Sequence, residues 1–132
     1  MFVWNDDLLT GNRVIDDQHR EIFEKLDSIL KISEDHSKRQ EIIKVFEFLA
    51  HYVYHHFHCE EELMKEHNYD GYELHAEDHL RFTRKISQLA IQLKEHGATS
   101  EFVTQLKVVF IELLVEHIDE MDKKFARYLK TI

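Results

Sequence analysis

The sequence predicts an all-α protein: an antiparallel up-down-up-down four-helix bundle preceded by an N-terminal arm. Three observations carry this. There is no proline and there are only three glycines, Gly11, Gly71 and Gly97, so little interrupts a helix. Four stretches repeat apolar side chains in steps of three and four residues. The segments between them are short and polar, which favours antiparallel neighbours. At 132 residues, 43% hydrophobic and 33% charged, the chain fits one globular domain over 1–132, with the arm over 1–15 and the bundle over 16–132.

The arm (Trp4, Asn5, Asp6, Asp7, Gly11, Asn12) lacks a sustained period and reads as ordered chain with Trp4 as its apolar anchor. The first helix is expected to begin near Asp16 or Asp17, either one a suitable N-cap or first-turn acid. Its inner face is His19, Ile22, Phe23, Leu26, Ile29 and Leu30. The second helix, from about Lys38 to His67, carries Ile42, Phe46, Leu49, Val53, His56, Glu60 and Leu63 on one seam. A turn follows at Asn68 to Gly71. The third, from about Tyr72 to His96, turns His75, His79, Phe82, Ile86, Leu89 and Leu93 inward. Gly97 closes it, and Thr99 or Ser100 caps a fourth helix that presents Leu106, Phe110, Leu113, His117, Met121, Phe125 and Leu129.

Polar residues therefore interrupt every apolar seam. In an up-down-up-down bundle the start of helix one, the end of two, the start of three and the end of four share one end. That is where His19, His56 with Glu60, His75 with His79, and His117 fall. Burying such groups without partners costs roughly 1–3 kcal/mol apiece, so a metal is the expected compensation. Nitrogen and carboxylate donors suit Fe, Zn, Mn or Cu, and the lone Cys59 excludes a cysteine cluster. Five inward histidines exceed one ion's usual share, so two metals bridged by a carboxylate are expected. Neither Glu-x-x-His nor His-Glu-x-x-His occurs, which disfavours a ferritin-like oxidase and a zinc protease.

The net charge of −9 argues against nucleic acid and anionic membrane surfaces as partners. No apolar run approaches a membrane span, and the first residues lack a signal-peptide pattern, so a cytoplasmic location is expected. The single Cys59 fits a reducing compartment.

The motifs Trp4 with Gly11, Ile15-Asp16-Asp17-Gln18-His19, His56-Phe57-His58-Cys59-Glu60-Glu61-Glu62-Leu63-Met64, His75 with His79, and His117-Ile118 followed by Asp122 span almost the whole chain. This pattern resembles the hemerythrins, in particular the small bacterial ones. The resemblance implies that His75, His79 and His117 bind one iron and His19 and His56 the other. Glu60 and Asp122 would bridge the pair together with an oxo or hydroxo group. Spacing alone does not select Asp122. Five residues after His117, it lies about 140° around an ideal helix, so either the helix is distorted there or the carboxylate approaches from another side. Asp119 and Glu120 are its competitors.

Of about twelve positions on two six-coordinate irons, this ligand set fills about eleven. The remaining one, on the iron of His19 and His56, is where the resemblance implies that dioxygen binds reversibly. Ile22, Phe57, Leu114 and Ile118 lie one turn or one residue from ligands and are expected to wall that pocket. The His51 and His55 pair near Cys59 reads as a partly exposed face, His36, His58 and His96 as solvated, and His67 as on the seam but about 10 Å beyond Glu60, too far to share the site. The expected function is oxygen storage, or delivery to an oxygen-requiring enzyme. The alternatives are a diiron enzyme reducing peroxide or nitric oxide, and an oxygen or iron sensor module.

Overall fold

Helix α1 spans Arg13–Ser33 and so begins before Asp16, because Asn12 is the cap: its side-chain oxygen accepts from the Ile15 N–H at 3.1 Å. The structure, a computed structural model, describes residues 4–132, the His36 side chain excepted. Asp16 turns back toward the arm, accepting from the Thr10 N–H and hydroxyl at 2.8 Å each and from the Gly11 N–H at 3.2 Å. Gly11 sits at φ 90°, where a Cβ would also crowd the Lys130 Nζ. Trp4 anchors the arm, its ring 5.7 Å from that of Phe23.

Helix α2 is Glu41–Glu66, starting later than expected because His36–Lys38 forms a separate 3-10 turn. It ends in a left-handed residue, Asn68 at φ 55°. The Tyr69 N–H then bonds to the Met64 carbonyl at 2.9 Å and the Asn68 N–H to the Lys65 carbonyl at 3.2 Å. That reversal turns the chain without a proline, since asparagine tolerates the conformation. Helix α3 is Tyr72–His96, closed by Gly97 at φ 76°. Thr99 caps the next segment, accepting from the Phe102 N–H at 3.1 Å.

The fourth rod, residues 100–129, is not one regular helix. It runs as α4 (Ser100–Lys107), a π segment (Val108–Leu113), α5 (Leu114–His117), a second π segment (Ile118–Asp122) and α6 (Lys123–Leu129). Each π segment spans five residues per hydrogen bond, Leu114 N–H to Val109 carbonyl and Lys123 N–H to Ile118 carbonyl. The phase shift corrects the expected inner face. Leu113 and Met121 are only half-buried, whereas Leu114, Ile118 and Asp122 are buried. On α2, likewise, Met64 is buried and Leu63 half-buried.

The four rods form the predicted antiparallel bundle. Along every rod the inward polar residues lie between members of two apolar clusters. The larger contains Ile22, Val53, Phe82 and Leu114, and the smaller contains Ile15, Met64, Tyr69 and Phe125. Among the described residues no helix is long and apolar enough to cross a membrane.

Candidate metal centre

Between those clusters the bundle brings seven predicted residues together: His19 from α1, His56 and Glu60 from α2, His75 and His79 from α3, His117 from α5 and Asp122 from the second π segment. All seven are buried. Regular α-helix sets His56 beside Glu60 and His75 beside His79 at four-residue spacing. Asp122 reaches the same layer because the π segment brings a residue five beyond His117 back to its face; the expected distortion is there.

Asp122 divides its oxygens between two groups of histidines. Oδ1 is 2.8 Å from His75 Nε2 and 2.9 Å from His117 Nε2, while Oδ2 is 2.8 Å from His19 Nε2. Glu60 Oε1 lies 3.1 Å from His79 Nε2 and 3.4 Å from His56 Nε2. Two overlapping sets result, Glu60–His75–His79–His117–Asp122 and His19–His56–Glu60–Asp122, each with its donor atoms within 4.8 Å of one another.

Short separations here are mostly not hydrogen bonds. The Nε2 atoms of His19, His56, His79 and His117, both Glu60 oxygens and Asp122 Oδ2 are buried without a hydrogen-bond partner among the described residues. Each such atom would cost about 1–3 kcal/mol if left so. Donors at adjacent corners around a metal with bonds near 2.1 Å stand about 3 Å apart, which matches these distances. The residues fit two metal ions sharing Glu60 and Asp122.

Electrostatics in the metal-free chain points the same way. Burial raises the Glu60 carboxyl well above its usual range, and the neighbouring Asp122 adds to that, so Glu60 is held as the acid. Burial works against the Asp122 carboxylate too, but His117 outweighs it and holds its pKa well below the ordinary value. Burial likewise opposes the His117 imidazolium, yet Asp122 and Asp78 push it up to about 10. Desolvation keeps His56 and His79 neutral. One ion pair and one extra proton thus occupy a space arranged for cations.

Three of the histidines are oriented from behind, by residues that the seam analysis did not single out. His56 Nδ1–H donates to Gln18 Oε1 at 2.6 Å, His79 Nδ1–H to Glu61 Oε2 at 2.8 Å, and His117 Nδ1–H to Asp78 Oδ2 at 2.5 Å. Such bonds fix the tautomer with the Nε2 lone pair facing inward. A signal existed: each partner is next in sequence to an inward residue, His19, Glu60 or His79, and so one step off its helix's inner face.

Phe57 stacks on His79, ring centres 3.9 Å apart, and sits 5.9 Å from His56 and 6.0 Å from His117. Ile22, Leu114 and Ile118 are buried in the larger apolar cluster with it. His51, His55, His58 and His96 are exposed, and the His67 carbonyl accepts from the Tyr128 hydroxyl at 2.7 Å. Cys59 is half-buried, its Sγ 3.6 Å from His55 Nε2. The expectation for the His36 side chain falls outside the described residues.

An all-helical bundle with a buried histidine and carboxylate site for metal defines the class of protein. The family model described as "Hemerythrin HHE cation binding domain" matches residues 10–129. A bacteriohemerythrin of Stenotrophomonas maltophilia (strain R551-3) is 30% identical over 130 residues, 98% of this chain and 82% of the relative. One from Pseudomonas paraeruginosa is 32% identical over 94% of this chain and 78% of its own length. A myohemerythrin of Sipunculus nudus is 27% identical, covering 94% of this chain and 90% of that relative. A crystal structure of wild-type hemerythrin superposes with a TM-score of 0.86 at 25% identity, covering 96% of both chains. The chain belongs to the hemerythrin family.

Proposed function

We propose that this chain, as a single domain over 1–132, binds dioxygen reversibly at a pair of iron ions, storing oxygen or delivering it to oxygen-requiring enzymes in the cytoplasm. His75, His79 and His117 hold one iron and His19 and His56 the other, with Glu60 and Asp122 shared. The observation that carries this is Asp122, whose two oxygens face different histidine groups as a bridging carboxylate's would. A bound iron pair with a bridging oxo or hydroxo group would supply reversible two-electron exchange with dioxygen.

The chain's own part is positioning and exclusion. Gln18, Glu61 and Asp78 hold imidazole lone pairs inward. Ile22, Phe57, Leu114 and Ile118 form an apolar wall that keeps out water, and with it the protons that would divert the chemistry. A site built mainly from imidazoles, with no further acid among the described residues reaching the layer, suits binding over turnover, so we assign no enzymatic role.

Elemental analysis with repeated oxygenation and deoxygenation of the reduced protein, followed by its visible spectrum, tests this. Two irons per chain and a spectrum that returns over many cycles are expected. Steady consumption of peroxide or nitric oxide with rapid conversion to an inert oxidised form would replace the carrier by an enzyme.

A further inference from the structure

Each outer partner belongs to the rod before the histidine it holds: Gln18 of α1 behind His56 of α2, Glu61 of α2 behind His79 of α3, Asp78 of α3 behind His117 of the fourth rod. The chemistry of these partners is uneven. The three-histidine group has two carboxylates behind it. The two-histidine group has one neutral amide; one histidine of each group, His19 and His75, has a buried Nδ1 without a partner among the described residues. Asp78 is in addition pinned from the surface by Arg81, whose Nη2 lies 3.1 Å from its other oxygen.

We infer that Glu61 and Asp78 make the three-histidine position the tighter of the two, so that a divalent cation fills it first. This rests on the two-metal reading above. Glu60 and Asp122 are common to both positions and cannot discriminate between them. An acceptor carboxylate behind an imidazole draws the Nδ1 proton toward itself, makes Nε2 a stronger donor and adds negative charge near the cation. Loss of such a partner typically lowers metal affinity by about 10–100-fold. An amide fixes the tautomer equally well but brings no charge. Glu61 and Asp78 are thus positioning residues whose charge reaches the metal through His79 and His117, while Gln18 only orients His56.

Cobalt(II) titration of the metal-stripped full-length chain against a competing chelator yields two stepwise dissociation constants. The first step is expected to be at least about 100-fold tighter than the second, two carboxylates contributing at the lower end of their range. Glu61→Gln and Asp78→Asn keep the shape and the acceptor oxygen but remove the charge. Each should weaken the first step about 10–100-fold and leave the second within a few-fold. Gln18→Glu should tighten the second step. Anomalous scattering from crystals loaded with one equivalent of cobalt should place the ion against His75, His79 and His117.

A first ion found against His19 and His56 overturns the inference, as do variants that weaken both steps equally, the behaviour of residues that merely support the fold. Two ions bound with equal affinity sink the inference alone. Failure of the wild-type chain to bind two ions sinks the two-metal reading with it.

Discussion

Helix α3 and the fourth rod both deliver ligand candidates to the polar layer, but with different backbones. On α3 the pair His75 and His79 is four residues apart, so an unbroken helix from Tyr72 to His96 aims both inward and keeps Phe82, Ile86, Leu89 and Leu93 in phase. In the fourth rod the pair is His117 and Asp122, five apart, and the backbone widens into a π segment between them. Where the inward residues match the α period the helix is regular. Where they do not, the approach of Asp122 to His19, His75 and His117 outweighs the α-helical preference.

Deleting one residue should therefore affect the two rods very differently. Removing exposed Glu77 from α3 rotates everything beyond it by about 100° relative to His75. Either the four buried apolar residues leave the core, at about 2–5 kcal/mol for each one lost, or the turn absorbs the slip and His75 is expelled. With a domain's whole stability at roughly 5–15 kcal/mol, the cooperative thermal transition followed by circular dichroism should disappear. Its survival would mean that the register of α3 is not what positions its histidines.

Asp122→Ala breaks the centre from the other rod. It leaves His19, His75 and His117 without the oxygens they now face, and removing one partner of a buried charged pair costs roughly 3–5 kcal/mol. The chain should unfold at lower denaturant and hold fewer metal ions by elemental analysis. Asp119→Ala and Glu120→Ala, the sequence-level competitors, lie on exposed positions and should leave metal content unchanged.

The same contrast governs pH. Asp122 raises the His117 pKa to about 10, so the stability that this imidazolium contributes to the metal-free chain is complete below the unfolded value near 6.5 and is lost as pH rises toward 10. Glu60 has the same sign: its raised pKa means that the unfolded chain ionises first, so stability falls as pH rises above the ordinary carboxyl value. Metal uptake runs the opposite way, because both protons must leave. Affinity should climb with pH up to about 10, and loading in weakly buffered solution at neutral pH should release protons to an indicator dye.

How much of this was legible follows the same division. The faces of α1 and α3, the break at Gly97 and the level shared by His19, His56, Glu60, His75, His79 and His117 all follow from a period of 3.6 residues. Asp122 could not be reached that way, since its place depends on tertiary contacts that reshape the helix carrying it. On a regular helix Leu113 and Met121 would face inward; the same reshaping gives those places to Leu114 and Ile118. The start of α1 was missed on a different ground: Asp16 is an apt cap by type, but its carboxylate is engaged by Thr10 and Gly11, which leaves Asn12 to cap.

The smallest expected effect is also the sharpest test. A π segment accommodates one residue more than the α-helix would, and exposed Glu120 lies within it. Deleting Glu120 places the carboxylate four residues after His117, about 40° from it on a regular helix, the spacing that already joins His56 to Glu60. Phe125 and Ala126 keep their direction, because the shortened segment closes as ordinary α-helix at the point where α6 begins. This variant should lose about 1 kcal/mol, an unexceptional change for a single alteration, and should still bind two metal ions. Intact folding with loss of one ion would show that the site needs the wider turn itself, and not merely a carboxylate delivered to that face.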